Sequence, residues 1–262
     1  MIDLHSHIVA GYDDGAEDED ESVAMARAWA ADGVTTVAAT PHVGAWAWGP
    51  PPDDLPARCQ ALNARLGSLQ VPVQVVPGAE VYMTADAATH LQRGAQGHRP
   101  LGESHYVLVE FSLGQGGAQH DEGFFALQAA GWQLVLAHAE RYPVFQRHPD
   151  RLGTLLGRGV LAQVTGGSLL GEFGPQAQRL AEQIVRANLG AIVASDAHRA
   201  RTRPPRMGEA RRRLVELVGD AAAERLTLTN PAAILADQPV IVDGDPSGLH
   251  GSQRSFLGVF RL

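Results

Sequence analysis

The sequence predicts an α/β fold in which seven strand–helix units close into a barrel. Seven short apolar, β-branched runs start near residues 1, 34, 73, 106, 132, 160 and 191, so they recur every 26 to 39 residues. That spacing suits one strand followed by one crossover helix. Apolar strands that alternate with helices are typical of a parallel sheet covered on both faces. Seven consecutive units favour a closed barrel over an open sheet.

The individual elements follow from local sequence signals. The strand runs are MIDLHSH, VTTVAATPH, VQVVPGAEV, YVLVEF, WQLVLAHAER, VLAQVTGGS and AIVASDAH. The helix DESVAMARAWAADG carries acids in its first turn and ends at Gly33, and the helix PQAQRLAEQIVRANLG begins with a proline after Gly174 and ends at Gly190. Because no linker interrupts this pattern before residue 238, we expect a single barrel domain over residues 1–238. Residues 239–262 form an unassigned C-terminal tail.

Composition excludes several classes of function. The formal net charge of −8 argues against nucleic acid as a partner. All 21 basic residues are arginines, which excludes a Schiff-base lysine and a P-loop lysine. The single cysteine, Cys59, excludes an internal disulfide. No segment has the signature of a leader or the length of a membrane span, so we expect a cytoplasmic protein that does not insert into a membrane.

Residues that can bind metal recur where the predicted strands end. His5 and His7 are two apart on a strand, so their side chains point the same way. In parallel α/β barrels the site lies at the carboxyl ends of the strands, and six of the seven runs end in His, Asp or Glu; the sixth ends in Gln163 and Ser168. Helix capping would explain one or two of these residues, but not all. The candidate ligands are His5, His7, Asp14, His42, Glu80, Glu110, His138, Asp196 and His198.

Nine ligands exceed the roughly four that one zinc-like ion takes, so two or three ions with a bridging carboxylate are implied. Three divalent ions would carry a charge of +6 and the four carboxylates a charge of −4, so the centre would keep a net charge of +2. A small positive charge of this kind suits a phosphate dianion. Imidazole with carboxylate ligation favours manganese, iron or zinc over calcium or magnesium.

The motifs DLHSH, ATPH, GAEV, VLVEF, LAHAERY and SDAHRARTRPP together resemble the PHP (polymerase and histidinol phosphatase) superfamily. The strongest similarity is to the capsule-type bacterial protein tyrosine phosphatases, and it extends from residue 1 to about residue 236. The resemblance implies a distorted, TIM-like (β/α)7 barrel, the PHP fold, with three divalent transition-metal ions per chain. Manganese is favoured among these, with iron and zinc as alternatives.

The resemblance also implies a division of the ligands. His5, His7, Glu80 and Asp196 would hold one ion; Glu80 would bridge to a second ion held by Glu110 and His138; Asp14, His42 and His198 would hold the third. Arg141 and Arg203 correspond to phosphate-binding arginines of the family. The alternative for these two is structural: Arg141 would pair with Glu140, and Arg203 would brace the RPP turn.

The implied activity is that of a metal-dependent phosphomonoesterase, foremost a protein tyrosine phosphatase. It would act on a tyrosine kinase of capsular or exopolysaccharide synthesis, by direct attack of a metal-bound hydroxide and without a covalent intermediate. The alternatives are a histidinol phosphatase or another small-molecule phosphoesterase of the superfamily and, in a different class, a non-catalytic metal-bound regulatory barrel. The oligomeric state is open, with a homo-oligomer as one option.

A few features stand outside this pattern. Cys59 begins a Cys-x5-Arg spacing, but its segment is helical and lacks the glycines that cradle a phosphate, so we expect no role in chemistry. Where the family often has a second histidine, this chain has Val43, followed by Trp46 and Trp48 as either a substrate lid or barrel packing. The remaining histidines are predicted to lie at the surface: His90, His98, His105, His120, His148 and His250.

Overall fold

The computed structural model describes residues 1–44, 54–84, 86–94, 97–113 and 121–249. Each predicted run forms a strand, and the second and third runs are each broken into two. The strands of the described residues are β1 (Ile2–Ser6), β2 (Thr36–Ala39), β3 (His42–Val43), β4 (Gln74–Pro77), β5 (Glu80–Tyr82), β6 (Tyr106–Glu110), β7 (Gln133–Leu136), β8 (Leu161–Thr165) and β9 (Gly190–Ala194).

The strands close into a barrel built from two parallel sheets. The first has the order β1-β2-β4 and the second the order β3-β5-β6-β7-β8-β9. Because β2 and β3 belong to one run, and β4 and β5 to another, these two runs connect the sheets. On the other side, Asp196 N–H donates to His5 O at 2.9 Å and His7 N–H donates to Ala197 O at 2.9 Å, which joins β9 to β1. The predicted distorted (β/α)7 barrel is therefore confirmed.

The breaks within the two runs occur at residues that interrupt a strand ladder. Pro41 separates β2 from β3 and has no N–H to donate. Pro77 is the last residue of β4, and Gly78 follows it before β5 begins. After the breaks, β3 and β5 pair again with His42 opposite Glu80, which places two candidate ligands side by side.

Helices cover the outside of the barrel. Asp18 caps the first helix by accepting from Glu21 N–H at 2.8 Å, and acids occupy its first turn, as predicted. None of the helices in the described ranges is both long enough and apolar enough to cross a membrane. The α-helices of these ranges are α1 (Glu19–Ala31), α2 (Leu55–Ser68), α3 (Ala87–Arg93), α4 (Asp121–Ala129), α5 (Pro143–Arg147), α6 (Pro149–Gly157), α7 (Gly166–Leu169), α8 (Gly174–Arg186), α9 (Met207–Val218), α10 (Asp220–Glu224) and α11 (Asn230–Leu235).

The barrel has a packed interior. Leu4, Ala38, Leu108, Val135 and Ile192 come from five different strands and form one buried cluster. Ile234 of α11 joins this cluster. Two larger apolar clusters lie between the strands and the surrounding helices, so apolar layers hold the strand ends that carry the polar residues.

The chain after α11 returns to the barrel. The buried Asn230 donates to Ala191 O at 2.7 Å and to Ile241 O at 2.9 Å, and accepts from Ile241 N–H at 3.0 Å. Leu249 is buried in the large core cluster, and the Gly153 Cα lies so close to Pro246 that a Cβ there would meet its carbonyl oxygen at 2.4 Å. Residues 240–249 therefore pack on the barrel, whereas a domain boundary at 238 remains a prediction.

We expect Asn230→Ala to lower the free energy of unfolding by about 2–4 kcal/mol, because it removes three hydrogen bonds, one of them to the buried carbonyl of Ala191. Urea denaturation measures this effect. Thr229→Ala is the matched control, since Thr229 is exposed on the same helical turn. Equal stability of the two variants would contradict the assigned role of Asn230.

Candidate metal centre

All nine predicted ligands lie in the described part of the chain, and the barrel brings them together at the carboxyl ends of its strands. Ring nitrogens and carboxylate oxygens of eight of them form three overlapping groups, each with atoms within 4.8 Å of one another, and the ninth, His138, lies 2.9 Å from Glu80. Most of these side chains are buried, whereas Asp14 is 45% exposed. The centre therefore opens to solvent on the side of Asp14.

The first group lies around β1 and β9. His5 Nε2 is 3.2 Å from Glu80 Oε2 and 3.3 Å from Asp196 Oδ1. His7 Nε2 is 3.5 Å from each of the same two oxygens. These four side chains are the ones that the resemblance assigns to one ion.

The second group lies around β5 and β6. His138 Nε2 is 2.9 Å from Glu80 Oε1 and 3.8 Å from Glu110 Oε2. His42 Nδ1 is also in this group, at 3.1 Å from Glu80 Oε2 and 2.9 Å from Glu110 Oε1. Glu80 thus faces both groups, as a bridging carboxylate would.

The third group lies around Asp14, where the centre opens to solvent; this opening is called the mouth of the centre. Asp14 Oδ1 is 3.3 Å from His198 Nε2 and 3.7 Å from His42 Nε2, and the rings of His7 and His198 are 3.8 Å apart. His42 therefore turns one nitrogen to this group and the other to the second group. The division of ligands among ions remains a prediction.

The side chains fit divalent metal ions on the evidence of their own hydrogen bonding. Within the described ranges, His5 Nε2, His7 Nε2, Glu80 Oε2 and His138 Nδ1 are buried without a hydrogen-bond partner. Buried polar atoms are rarely left in this state. The donors here are imidazole nitrogens and carboxylate oxygens, which suit manganese, iron or zinc.

The protonation equilibria reflect the same crowding. Burial works against a charged His5, but the carboxylates of Glu80 and Asp196 outweigh it and raise the imidazole pKa. Burial likewise opposes a charged Asp196, yet His5, His7 and Arg203 hold the pKa of its carboxyl well below the usual range. The Asp196 carboxyl is therefore kept ionised, which is the form that binds a cation.

Asp13 supports the centre, although sequence reasoning assigned only its neighbour Asp14. It accepts from His7 Nδ1 at 2.6 Å and from His42 N–H at 3.0 Å. The first bond fixes the tautomer of His7 so that Nε2 faces the cluster. Gly15 allows this turn, because a Cβ there would lie 2.1 Å from His7 O. The pair of aspartates before a glycine was the available signal.

Gln163 is the second supporting residue that sequence reasoning missed. Its Oε1 accepts from His5 Nδ1 at 3.0 Å and from His138 N–H at 2.6 Å. Gln163 therefore orients one ligand and fixes the backbone of another. The sixth run, which ends without a metal-type residue, still contributes at the same level of the barrel.

Two ligands have strained backbones. His138 has φ of 36° and Asp196 has φ of 54°, in the left-handed region that favours glycine. His138 lies in the loop after β7, and Asp196 lies in the loop after β9. Such strain costs about 1–3 kcal/mol per residue and is concentrated at functional sites.

Both predicted arginines reach the rim of the centre. Arg141 Nη1 donates to Asp196 Oδ2 at 2.7 Å, and Arg203 Nη2 donates to the same oxygen. Arg141 therefore pairs with Asp196 rather than with Glu140, which is buried and accepts from Ser168 Oγ at 2.6 Å. The backbone of Arg203 also braces its loop, since its carbonyl accepts from His198 N–H at 3.1 Å.

The sequence also predicts the positions of Cys59 and of the histidines outside the ligand set. Cys59 is buried in α2, and burial raises the pKa of its thiol to about 12. The prediction that His98 lies at the surface is wrong: it is fully buried, with its ring 4.8 Å from the half-buried His90. His105 and His148 are exposed. Trp46, Trp48, His120 and His250 lie outside the described residues.

Comparison with known proteins places the chain in a protein family. The model of the family described as "Capsular polysaccharide synthesis, CpsB/CapC" matches residues 1–236. The chain belongs to the CpsB/CapC family. The resemblance drawn from the motifs is thereby confirmed.

Two relatives within the CpsB/CapC family illustrate the similarity. The tyrosine-protein phosphatase YwqE of Bacillus subtilis is 36% identical over 203 residues, which cover 78% of this chain and 79% of YwqE. The tyrosine-protein phosphatase CpsB of Streptococcus pneumoniae is 29% identical over 243 residues, which cover 91% of this chain and 99% of CpsB.

Solved structures agree with the family assignment. One crystal structure, from work on YwqE of Bacillus subtilis and CpsB of Streptococcus pneumoniae, superposes with a TM-score of 0.87 at 33% identity. The match covers 93% of this chain and 97% of the other, and that work describes its proteins as unique metal-dependent tyrosine phosphatases. A lactonase from Listeria monocytogenes, at 14% identity and a TM-score of 0.53, shares the fold alone.

We expect the purified CpsB/CapC-family protein to contain more than one transition-metal equivalent per chain, because three groups of ligand atoms overlap. Elemental analysis measures this content, and EDTA should abolish activity. Glu80→Gln should lose metal, since Glu80 faces two groups, whereas the exposed control Glu103→Gln should not. Full activity after exhaustive chelation, or full metal content in Glu80→Gln, would sink this assignment.

Cys59→Ser should retain turnover close to that of the wild type, because a buried thiol with a raised pKa is neither accessible nor ionised. Iodoacetamide should leave the activity intact for the same reason. The measurement is kcat on the metal-loaded protein. A loss of ~10³-fold in a folded variant would move the chemistry to the thiol.

Proposed function

We propose that this protein is a metal-dependent protein tyrosine phosphatase that serves capsular or exopolysaccharide synthesis. The observation that carries the proposal is the convergence of nine metal-type side chains at the carboxyl ends of the strands, eight of them in three overlapping groups and His138 against Glu80, with two arginines beside them. The YwqE and CpsB relatives, which are named tyrosine-protein phosphatases, support the same activity.

We propose that the centre holds three divalent ions, with manganese favoured and iron or zinc as alternatives. His5, His7, Glu80 and Asp196 would hold one ion; Glu80, Glu110 and His138 a second; Asp14, His42 and His198 a third. Bound ions would supply positive charge for the phosphate oxygens and lower the pKa of a coordinated water. Asp13 and Gln163 would hold the tautomers of His7 and His5 that turn Nε2 toward the ions.

The arginines supply the part of phosphate recognition that depends on shape. Arg141 and Arg203 are 17% and 27% exposed, so their guanidinium groups are accessible from the mouth. A guanidinium donates two parallel hydrogen bonds to a phosphate. We therefore assign both arginines to binding and orienting the phosphoryl group and to stabilising its oxygens as charge develops.

The proposed reaction does not use a covalent enzyme intermediate. Phosphatases that form one on cysteine need an accessible thiolate with a lowered pKa. Cys59 has the opposite properties, since it is buried with a pKa of about 12. The phosphoryl group would therefore pass directly to water.

We propose a bacterial tyrosine kinase of capsule synthesis as the phosphotyrosine substrate and partner. The CpsB/CapC family description and the tyrosine phosphatase relatives support this choice. A single buried cysteine fits a reducing compartment, and we propose the cytoplasm. The net charge of −8 supports a protein partner over nucleic acid.

A substrate competition on metal-loaded protein tests the proposal. We expect kcat/KM to be highest for phosphotyrosine peptides, lower for sugar phosphates and histidinol phosphate. A preference for histidinol phosphate would instead identify a small-molecule phosphatase. No turnover of any of these substrates, nor of p-nitrophenyl phosphate with Mn²⁺, would favour a non-catalytic regulatory barrel.

We expect Arg141→Ala or Arg203→Ala to lower kcat/KM by about 30- to 1000-fold, or roughly 2–4 kcal/mol, because each removes donors to the phosphate. Metal content and Tm should stay near those of the wild type, and Arg→Lys should recover only part of the loss. Arg151→Ala, an exposed position on α6, is the control. Folded, metal-replete variants with unchanged kcat/KM would remove the arginines from the mechanism.

A further inference from the structure

Phe173 lies beside both arginines at the mouth of the centre. The Arg141 Cζ is 4.3 Å from the centroid of the Phe173 ring, and the Arg203 Cζ is 5.6 Å from it. Both distances lie within the range of cation–π attraction. One half-buried aromatic ring thus contacts the two guanidinium groups that also meet on Asp196.

The strand order explains why this residue can reach both arginines. Arg141 follows β7, Phe173 follows β8 and Arg203 follows β9. These three strands are neighbours in the order β7-β8-β9. The loop after β8 therefore lies between the two loops that carry the arginines.

The position of Phe173 is itself fixed by its surroundings. A Cβ on Gly167 would lie 2.4 Å from Glu172 Oε2 and 3.0 Å from Phe173 Cε2, so the Gly167 backbone packs closely against this part of the loop. The adjacent Glu172 accepts from Arg206, which belongs to the loop after β9. Arg206 in turn pairs with Glu209 at 2.7 Å. The loop that carries the ring is thereby tied to the loop after β9.

An aromatic ring is well suited to hold two arginines that must bind phosphate. Two guanidinium groups that share one oxygen of Asp196 repel each other, and a second carboxylate beside them would cancel more of the charge that a phosphate needs. A ring attracts cations through its quadrupole and adds no net negative charge. It can therefore hold both groups and leave their charge available.

We propose that Phe173 is a positioning residue that holds Arg141 and Arg203 side by side to receive the phosphoryl group. The inference rests on the proposed phosphatase function. Phe173 acts through the arginines and makes no contact of its own with the reacting atoms.

The test compares Phe173→Leu with Phe173→Tyr on metal-loaded protein. Leu keeps the apolar bulk and removes the ring, whereas Tyr keeps the ring. We expect Phe173→Leu to lower kcat/KM for a phosphotyrosine peptide by about 5- to 30-fold, and to weaken inhibition by inorganic phosphate to a similar degree. Phe173→Tyr should restore both quantities. Phe125→Leu, at a 73% exposed position on α4, is the control.

A double-mutant cycle separates positioning from packing. In an Arg141→Ala, Arg203→Ala background, Phe173→Leu should cause no further loss of phosphate binding, because the groups it positions are gone. A further loss of the same size would overturn the proposal. The proposal would also fail if inorganic phosphate inhibited Phe173→Leu as strongly as it inhibits the wild type. An equal loss of kcat/KM in Phe173→Leu and Phe173→Tyr would overturn it as well.

Two additional measurements keep the outcome decisive. If Phe173→Leu lowers Tm or metal content, Phe173→Met is the second ring-free variant with similar bulk, and the same criteria apply to it. Calorimetric titration with inorganic phosphate measures binding independently of turnover. A wild type that binds phosphate but hydrolyses no phosphotyrosine peptide would refute the phosphatase function, while the calorimetric comparison would still decide the role of Phe173.

Discussion

The structure depends on keeping the charge of Glu80 inside the barrel. This side chain is fully buried, and its two oxygens face His5, His42 and His138 within 3.2 Å. An isolated carboxylate in such a place would lose more solvation than a folded domain can tolerate. Burial opposes its ionisation, but the histidines around it hold its pKa well below the usual range. The imidazoles around Glu80 can place positive charge beside it in either state: they can bind protons when no metal is bound, and they would hold metal ions when metal is present.

The distortion of the barrel follows from the same constraint. Pro41 and Gly78 each end one short strand and allow a second to begin, so that β3 and β5 pair with His42 opposite Glu80. On the other side of β5, the ladder with β6 places Tyr82 opposite Glu110. An unbroken ladder would continue the direction of β2 and β4 in the first sheet. After each break the chain instead continues in the second sheet, as β3 and as β5. This sheet carries Glu110 and leads to His138.

The sequence predicted the elements and the ligands better than the residues that orient them. Periodic apolar runs and strand-end positions are visible in one dimension, so all seven strands and a cluster of the nine ligands could be predicted. Asp13 and Gln163 could not be assigned, because their roles depend on which ring nitrogen they meet across the barrel. His98 is predicted at the surface because it lies outside the strand-end motifs, and the fold instead packs it against Gly44 and His90.

Asp196 connects the two halves of the site. Its Oδ1 faces the imidazoles of His5 and His7, and its Oδ2 accepts from Arg141 and Arg203. One carboxylate therefore contacts both the candidate metal ligands and the two arginines at the rim, on a backbone whose φ of 54° is held by the junction of β9 with β1. The arginines need a second support that does not consume their charge, and the strand without a metal ligand supplies it through the loop that carries Phe173. The division of labour among β7, β8 and β9 thus follows from electrostatics: two loops provide cations, and the loop between them provides a neutral surface.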